Sequence, residues 1–245
     1  MRSAYNAART IFGSAVIVLY TVAVCSWLMV VTRFRPGTGH TEVVARGWGW
    51  LFNFFAGARV TIDGLENVDR SKSYVFVSNH LSNLDAPFHL ATMPVGVRFL
   101  AKKELFRIPL FGPTLRAVGM IETDRQAHAA AHREINVHVD RVIAMGRSLL
   151  IYPEGTRSRN GELHPFKKGA FRIAVENHMP VLPVTIAGTN NVWRPGEKWW
   201  RGGKVKMVFH PPIPTTGLGE AGIDALREQA HRIIGESYQR IRNEV

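Results

Sequence analysis

The chain has 245 residues, enough for one domain of ordinary size with a small addition. Hydrophobic residues make up 46% of it and charged residues 20%, which is close to globular usage and excludes intrinsic disorder, collagen-like repeats and a disulfide scaffold. The single cysteine, Cys25, cannot close an internal disulfide and has no partner thiols for a zinc site.

The positive charge is concentrated in three segments. Lysines and arginines number 31 against 19 aspartates and glutamates, and residues 1–35, 157–172 and 194–206 each carry a net charge of +4, so the rest of the chain is neutral. Such a charge is compatible with nucleic acid, but these basic residues are interleaved with apolar residues and tryptophans, as at a membrane surface. We therefore predict a membrane as partner, and no nucleic acid.

The first predicted element is an uncharged segment of 22 residues from Ile11 to Thr32. At a rise of about 1.5 Å per residue it is long enough to cross a hydrocarbon layer of about 30 Å. A cleaved signal peptide is the alternative, but its apolar region has about 7–15 residues and a small-residue cleavage site. This segment is longer and runs into Arg33, so we predict membrane insertion over a signal peptide or a buried core helix.

A second apolar helix is predicted from Thr41 to Ala58. Its polar or glycine positions, 42, 46, 49, 53 and 57, form one narrow helical stripe, and aromatic residues dominate the remaining surface. A short turn at residues 36–39 would join the two helices into a hairpin. Residues 1–58 are therefore predicted as a membrane anchor, and the sequence leaves open whether the first helix spans the bilayer or both helices enter one leaflet.

Residues 59–245 have the pattern of an α/β domain. Short apolar strands alternate with helical stretches, which predicts a mixed, largely parallel sheet flanked by helices. The chain closes with a predicted helix from Ile223 to Ile241. The predicted strands are Val60–Asp63, Tyr74–Ser78, Leu149–Tyr152, Val181–Ile186 and Val205–Phe209.

The first chemical motif, SNHLSNLD at residues 78–85, directly follows a predicted strand. Open α/β sheets place their sites at the carboxyl ends of strands. Asp85 can return after a turn to accept a hydrogen bond from one ring nitrogen of His80, which leaves the other nitrogen to take a proton from a substrate hydroxyl. An Asn/Ser/Asp turn with an incidental histidine is the alternative, and this motif alone leaves both interpretations open.

The second motif, YPEGTRS at residues 152–158, also follows an apolar strand. Gly155 allows backbone N–H groups to approach a ligand, Thr156 offers a hydroxyl, and Arg157 offers a planar fork that matches phosphate. The Walker pattern is missing, so the motif does not predict binding of a nucleoside triphosphate. A local ion pair between Glu154 and Arg157 at a turn is the alternative.

Two other features add basic residues to the same predicted anion site. Lys167 and Lys168 follow the second motif and contribute two positive charges. The third motif, GMIETDR at residues 119–125, ends in Arg125, which is either a second phosphate ligand or an ordinary surface arginine. The motif by itself favours the surface.

Taken in order, these motifs resemble those of the glycerolipid acyltransferases, specifically the 1-acylglycerol-3-phosphate (lysophosphatidic acid) acyltransferase branch. The resemblance covers roughly residues 40–215 and rests on N-H-x-x-x-x-D at 79–85, G-x-x-x-x-D-R at 119–125, Y-P-E-G-T-R-S at 152–158 and L-P-V at 182–184. It implies transfer of a fatty acyl group from acyl-CoA or acyl carrier protein to the sn-2 hydroxyl of lysophosphatidic acid, giving phosphatidic acid in phospholipid biosynthesis. It also implies a location at the cytoplasmic face of the inner membrane, with the acyl donor as co-substrate and neither a metal nor a cofactor.

The resemblance further implies residue roles. His80 corresponds to the general base and Asp85 to its orienting partner. Glu122 departs from the family pattern, in which an apolar residue is usual, and an acid there would repel a phosphate unless it points away. Residues predicted to contact substrate are Asn79, Arg125, Glu154, Gly155, Thr156, Arg157 and Lys168.

The chemistry of a thioester fits these residues. A thioester is already activated, so no serine nucleophile is required, and the chain has no G-x-S-x-G elbow. The alternatives are an acyltransferase acting on another lysolipid, such as a lyso-ornithine lipid, a membrane-bound acyl hydrolase, and a membrane-anchored anion-binding protein without enzymatic activity. The stretch at residues 193–204 is predicted either as a second membrane contact or as a loop with buried tryptophans.

Overall fold

The computed structural model of the protein describes residues 2–34, 40–123 and 130–245. The turn predicted at residues 36–39 lies outside these ranges. The strands are β1 (Ala58–Asp63), β2 (Val75–Ser78), β3 (Val97–Lys102), β4 (Ile121–Thr123), β5 (Ser148–Ile151), β6 (Val181–Ala187) and β7 (Gly203–Phe209). The α-helices are α1 (Arg2–Phe34), α2 (His40–Ala56), α3 (Asp85–Thr92), α4 (Phe111–Ala117), α5 (Ala130–Ala144), α6 (Gly169–Glu176), α7 (Thr189–Val192) and α8 (Ile223–Ile241).

The seven strands form one sheet in the order β1-β7-β6-β2-β5-β3-β4. Neighbouring strands run parallel except β6 and β7, which are antiparallel. Hydrophobic clusters cover both faces: Val75 and Val77 of β2 pack with α5, α6 and α8, whereas Phe76 between them packs with α2 and α3. This alternation follows from the two-residue period of a strand. The predicted mixed, largely parallel sheet flanked by helices is confirmed.

Two strands were not predicted from the sequence. Strand β3 contains Arg98, which is 5% exposed, and a buried charge is unusual in a strand. Glu42 of α2 makes this burial possible because its carboxylate accepts hydrogen bonds from the guanidinium groups of Arg98, at 2.9 Å, and Arg147, at 2.7 Å. Strand β4 is a three-residue strand at the sheet edge, too short for a periodic signal.

Helix α1 is a single helix that extends beyond the predicted segment at both ends. Among the described residues it is the one helix long and apolar enough to cross a membrane, and 17% of its most apolar stretch is buried. Its exposed side chains include Leu19 at 70% and Val30 at 59%. Helix α1 is therefore a candidate membrane anchor.

Helix α2 has the reverse of the usual polarity of a surface helix. Its buried side includes Gly49 and Asn53 from the predicted polar stripe, whereas Val43, Trp50 and Phe54 are 73%, 57% and 61% exposed. One apolar side of α2 thus faces away from the protein, an arrangement that suits lipid better than water, while Phe52 and Phe55 pack against the core.

Trp199 and Trp200, in the stretch at residues 193–204, have different surroundings. Trp200 is 2% exposed, and its backbone N–H donates to Thr10 Oγ1 of α1 at 2.9 Å. The neighbouring Trp199 is 37% exposed. Trp200 therefore belongs to the core and Trp199 lies at the surface, and a membrane contact by this stretch stays a prediction.

The hydrophobic hairpin is in close contact with the α/β part of the chain. Helix α2 packs on α3 so tightly that a Cβ atom at Gly49 would lie 2.3 Å from the carbonyl oxygen of Pro87 and 2.8 Å from the backbone nitrogen of Ala91. Helix α3 begins with Asp85 of the first motif, so α2 supports the element that carries this residue. The division of the chain into domains at residues 1–58 and 59–245 stays a prediction.

Replacing Gly49 by alanine should separate α2 from α3, because the new methyl group would clash with backbone atoms that cannot rotate away. We expect Gly49→Ala to lower the free energy of unfolding by about 1–3 kcal/mol, measured as a lower thermal midpoint in detergent. Gly169→Ala is the control, since a Cβ there would have no neighbouring heavy atom within 4 Å. Equal stability of Gly49→Ala and the unmodified protein would contradict the tight packing.

Candidate active site

The sheet topology brings the first two motifs together. Strands β2 and β5 are parallel neighbours, so the loops that follow them leave the same edge of the sheet. His80 lies in the loop after β2, and residues 152–158 form the loop after β5. The two loops are joined directly, because the backbone N–H of Ser158 donates to the carbonyl oxygen of His80 at 2.8 Å.

His80 and Asp85 form a hydrogen-bonded pair. His80 Nδ1 lies 2.7 Å from Asp85 Oδ2, and the same oxygen accepts the backbone N–H groups of Leu81 at 2.6 Å and Ser82 at 2.8 Å. Asp85 is fully buried, whereas the side chain of His80 is 12% exposed. Because the carboxylate requires a donor, His80 Nδ1 carries a proton and Nε2 is the nitrogen left to accept one.

Tyr152 and His89 complete the surroundings of His80, and neither is among the predicted site residues. The Tyr152 ring stacks on the imidazole of His80 with centroids 4.1 Å apart and planes 12° apart. The Tyr152 hydroxyl lies 3.1 Å from Nδ1 of His89, a fully buried residue of α3. The available signal for His89 was its position four residues after Asp85, one helical turn further along α3.

Glu154 connects two backbone segments instead of facing open space. Its Oε1 accepts the N–H of His80 at 2.7 Å, and its Oε2 accepts the N–H of His164 at 3.0 Å. Burial is the largest influence on the carboxyl group and raises the pKa of Glu154 to about 7, although the two backbone N–H groups act in the opposite direction. The predicted substrate contact thus has the geometry of a brace behind His80.

Gly155, Thr156 and Arg157 of the second motif lie nearer the surface than Glu154. Gly155 has a φ of +71°, a conformation that glycine adopts without strain, and Thr156 is exposed. The guanidinium of Arg157 donates to Asn83 Oδ1 in the His80 loop. Glu154 is bonded to other groups, so the predicted alternative of a local Glu154–Arg157 ion pair does not describe this turn.

The two lysines after the motif point to different partners. Lys168 Nζ donates to Asp224 Oδ2 of α8 at 2.7 Å, and both side chains are half exposed. Lys167 instead extends over the second motif, where its Nζ lies 3.0 Å from the position of a Cβ on Gly155. The lysine beside the motif is therefore Lys167, whereas the lysine predicted to contact the substrate is its neighbour, Lys168.

Asn79, another predicted substrate contact, forms hydrogen bonds within the sheet. The side-chain amide of Asn79 is buried and bonds β6, donating to the carbonyl oxygen of Ile186 at 2.8 Å and accepting its N–H at 2.9 Å. Both amide functions of Asn79 therefore serve the fold.

Arg125, at the end of the third motif, lies outside the described residues. Glu122, the departure from the family pattern, is exposed and pairs with Arg116 at 3.0 Å.

The protonation of Glu154 predicts a pH dependence of stability. A carboxyl group with a raised pKa in the folded state binds its proton more tightly there than in the unfolded chain, so its contribution to stability decreases as the pH rises from about 4.5 to about 7. Glu154→Gln should flatten this part of the curve of unfolding midpoint against pH. Burial lowers the pKa of His89 to about 4, which gives a slope of opposite sign in both proteins and cancels in the comparison. Parallel curves for the two proteins would contradict the assignment.

Comparisons with known proteins show which family this chain belongs to. The profile of the family described as acyltransferase matches residues 59–187, which include both loops. A 1-acyl-sn-glycerol-3-phosphate acyltransferase of Limnanthes douglasii is 32% identical over 91% of this chain and 79% of its own length. The beta form of the enzyme from Homo sapiens is 31% identical over 79% of this chain and 70% of its own length.

The fold also matches a solved structure. The crystal structure of the 1-acyl-sn-glycerophosphate (LPA) acyltransferase of Thermotoga maritima superposes with a TM-score of 0.82, covers 98% of both chains and is 25% identical in sequence. The similarity therefore includes the N-terminal helices as well as the sheet. The sequence profile, the curated relatives and the fold agree, and the protein belongs to the acyltransferase family.

Proposed function

We propose that this protein is a 1-acyl-sn-glycerol-3-phosphate acyltransferase, which transfers a fatty acyl group from acyl-CoA or acyl carrier protein to the sn-2 hydroxyl of lysophosphatidic acid. The observation that carries the proposal is the His80–Asp85 pair, in which Nδ1 is bonded to a buried carboxylate and Nε2 is free to accept a proton. The names of the relatives support this reaction, in which the acceptor hydroxyl has to lose a proton.

The reaction balances with one base. His80 Nε2 takes the proton of the acceptor hydroxyl as its oxygen bonds to the thioester carbonyl carbon, and Asp85 stabilises the resulting imidazolium. The carbon–sulfur bond then breaks, and the imidazolium returns its proton to the leaving thiolate. The products are a carboxylic ester and a free thiol. The base contributes about 10²–10⁴-fold, and alignment of two bound substrates supplies more.

The phosphate of the acceptor requires cationic groups beside the base. Arg157 is bonded to Asn83, in the loop that also contains His80, and the Lys167 side chain lies over Gly155 of the second motif. We assign the phosphate to these two residues, because a guanidinium and an ammonium on neighbouring turns can bind different phosphate oxygens. Gly155 and Thr156 would line the same side of the site.

The acceptor and the product are lipids, so the site has to operate at a bilayer. The exposed apolar surface of α1 and α2 supplies an anchor, and the tight contact of α2 with α3 holds that anchor against the element that carries Asp85. We propose that the protein resides in the cytoplasmic membrane with the site on the cytoplasmic side, where acyl-CoA and acyl carrier protein are available.

The function is tested by following thiol release from a long-chain acyl-CoA by the detergent-purified protein, with and without lysophosphatidic acid. We expect release that depends on the acceptor and falls by about 10²–10⁴-fold in His80→Ala, because the base is lost. Release without acceptor would identify an acyl hydrolase. Full activity in His80→Ala would contradict the role of His80, and dependence on a different lysolipid would correct the acceptor.

Adjacent lysines provide a matched test of phosphate binding. Lys167→Ala should raise the KM for lysophosphatidic acid about fivefold, the equivalent of about 1 kcal/mol, because a partly exposed charge interaction with the phosphate is lost. Lys168→Ala removes the same charge from the next position, but its partner is Asp224, so its KM should stay close to that of the unmodified protein. An equal effect of both substitutions would indicate general electrostatics instead of a contact by Lys167.

A further inference from the structure

The hydrogen bond to Asp85 leaves one degree of freedom in His80 unconstrained. This single bond holds the position of Nδ1 and the tautomer of the ring, but it does not fix the tilt of the ring plane. The flat stack on Tyr152, with planes 12° apart, determines the remaining orientation, because any tilt would separate the two faces. The direction of Nε2 therefore depends on Tyr152 as well as on Asp85.

Tyr152 is itself held in place by its surroundings. Its hydroxyl lies 3.1 Å from His89 Nδ1, and the rings of His89 and Phe99 contact it with centroids 5.6 Å and 6.3 Å away. His89 Nδ1 also lies 2.7 Å from the backbone carbonyl oxygen of Asp85. A carbonyl oxygen only accepts, so Nδ1 carries the proton, and this proton lies between two oxygens.

Because His89 is neutral, the face of Tyr152 stays available for a positive charge on His80. His89 is fully buried, and its Nε2 has no hydrogen-bond partner among the described residues, which fits a neutral ring with its proton on Nδ1. Burial also lowers the pKa of His89 to about 4. A neutral His89 adds no charge that would repel an imidazolium stacked on the same tyrosine.

The groups that face His80 are of three kinds. Asp85 bonds its ring, Glu154 accepts its backbone N–H, and Tyr152 covers one face of the imidazole. An aromatic face attracts a cation, and the imidazole becomes a cation only after it has taken the proton of the acceptor hydroxyl. The stack is therefore stronger in the transition state than in the resting enzyme, which is the condition for an effect on kcat.

We propose that Tyr152, anchored by His89, is a positioning residue for His80: its ring holds the imidazole plane and stabilises the imidazolium formed during acyl transfer. This inference rests on the proposed role of His80 as the base. It gives functions to two side chains that the motif-based interpretation left without one.

Substitutions at Tyr152 separate the ring from the hydroxyl. Tyr152→Leu removes the aromatic face and should lower kcat about tenfold while KM for lysophosphatidic acid changes little. It should also move the acidic limb of the profile of kcat/KM against pH to lower pH, because the protonated form of His80 loses a stabilising partner. Tyr152→Phe keeps the ring and loses the anchor, so we expect a two- to threefold lower kcat and a limb near its original position.

Several outcomes would overturn the proposal. A Tyr152→Leu variant with unchanged kcat, or Tyr152→Phe as impaired as Tyr152→Leu, would exclude a role for the stack. A limb that stays in place in Tyr152→Leu would exclude stabilisation of the imidazolium by the ring. Wild-type kcat in Tyr152→Phe would exclude the anchor through His89.

Controls keep folding and function separate. Tyr152→Met fills similar volume with a flexible chain and carries the same expectation if Tyr152→Leu does not fold. His80→Ala is measured beside them under the same conditions. If His80→Ala is fully active, the proposed function fails. If it is inactive and Tyr152→Leu is unaffected, only the positioning role fails.

Discussion

A single buried carboxylate, that of Asp85, holds the candidate active site together. An ion removed from water is costly unless hydrogen bonds replace its hydration. Three donors converge on Oδ2: the ring of His80 and the backbone N–H groups of Leu81 and Ser82. The same oxygen therefore determines the path of the loop after β2 and the tautomer of His80. Its place in the first turn of α3 adds the favourable end of the helix dipole.

The position of Asp85 depends in turn on helix α2. Gly49 allows α2 to approach the backbone of α3, and the Glu42 carboxylate near the start of α2 forms ion pairs with Arg98 and Arg147. Gly49 and Asn53 of α2 consequently face the protein, as do Phe52 and Phe55, whereas Val43, Trp50 and Phe54 are directed outward. One constraint, a close approach of two helices, thus accounts both for the support of the active site and for the apolar surface beside it.

The loop after β5 acts mainly as a frame for His80. Glu154 binds the backbone of His80 from behind, Tyr152 covers its ring, and Ser158 bonds its carbonyl oxygen. The exposed end of this loop, with Arg157 and the nearby Lys167, is the part that we assign to the phosphate of the acceptor. A motif that looks like a binding loop in the sequence therefore divides into residues that brace His80 and residues that we propose contact the substrate.

The length and periodicity of local segments predicted much of this architecture. The helix from Ile223 to Ile241 was predicted with its observed ends, and the five predicted strands agree with observed strands to within two residues at each end. The pairing of His80 with Asp85 was likewise expected, because five residues and one turn determine whether two side chains can meet. Strand β3 was not predicted because Glu42, the partner that allows Arg98 to be buried, lies far away in the sequence, on helix α2.

The sequence by itself thus determined the fold class, the apolar N-terminal helices and the residues from which the active site is built, since hydrophobic period and motif spacing are properties of neighbouring residues. Only the tertiary structure decided what each of these side chains does. Asn79 bonds Ile186, 107 positions away, and Lys168 bonds Asp224, 56 positions away, while the adjacent Lys167 extends over the second motif. Such partners are selected by the packing of the sheet and its helices, and no local pattern in the chain records that choice.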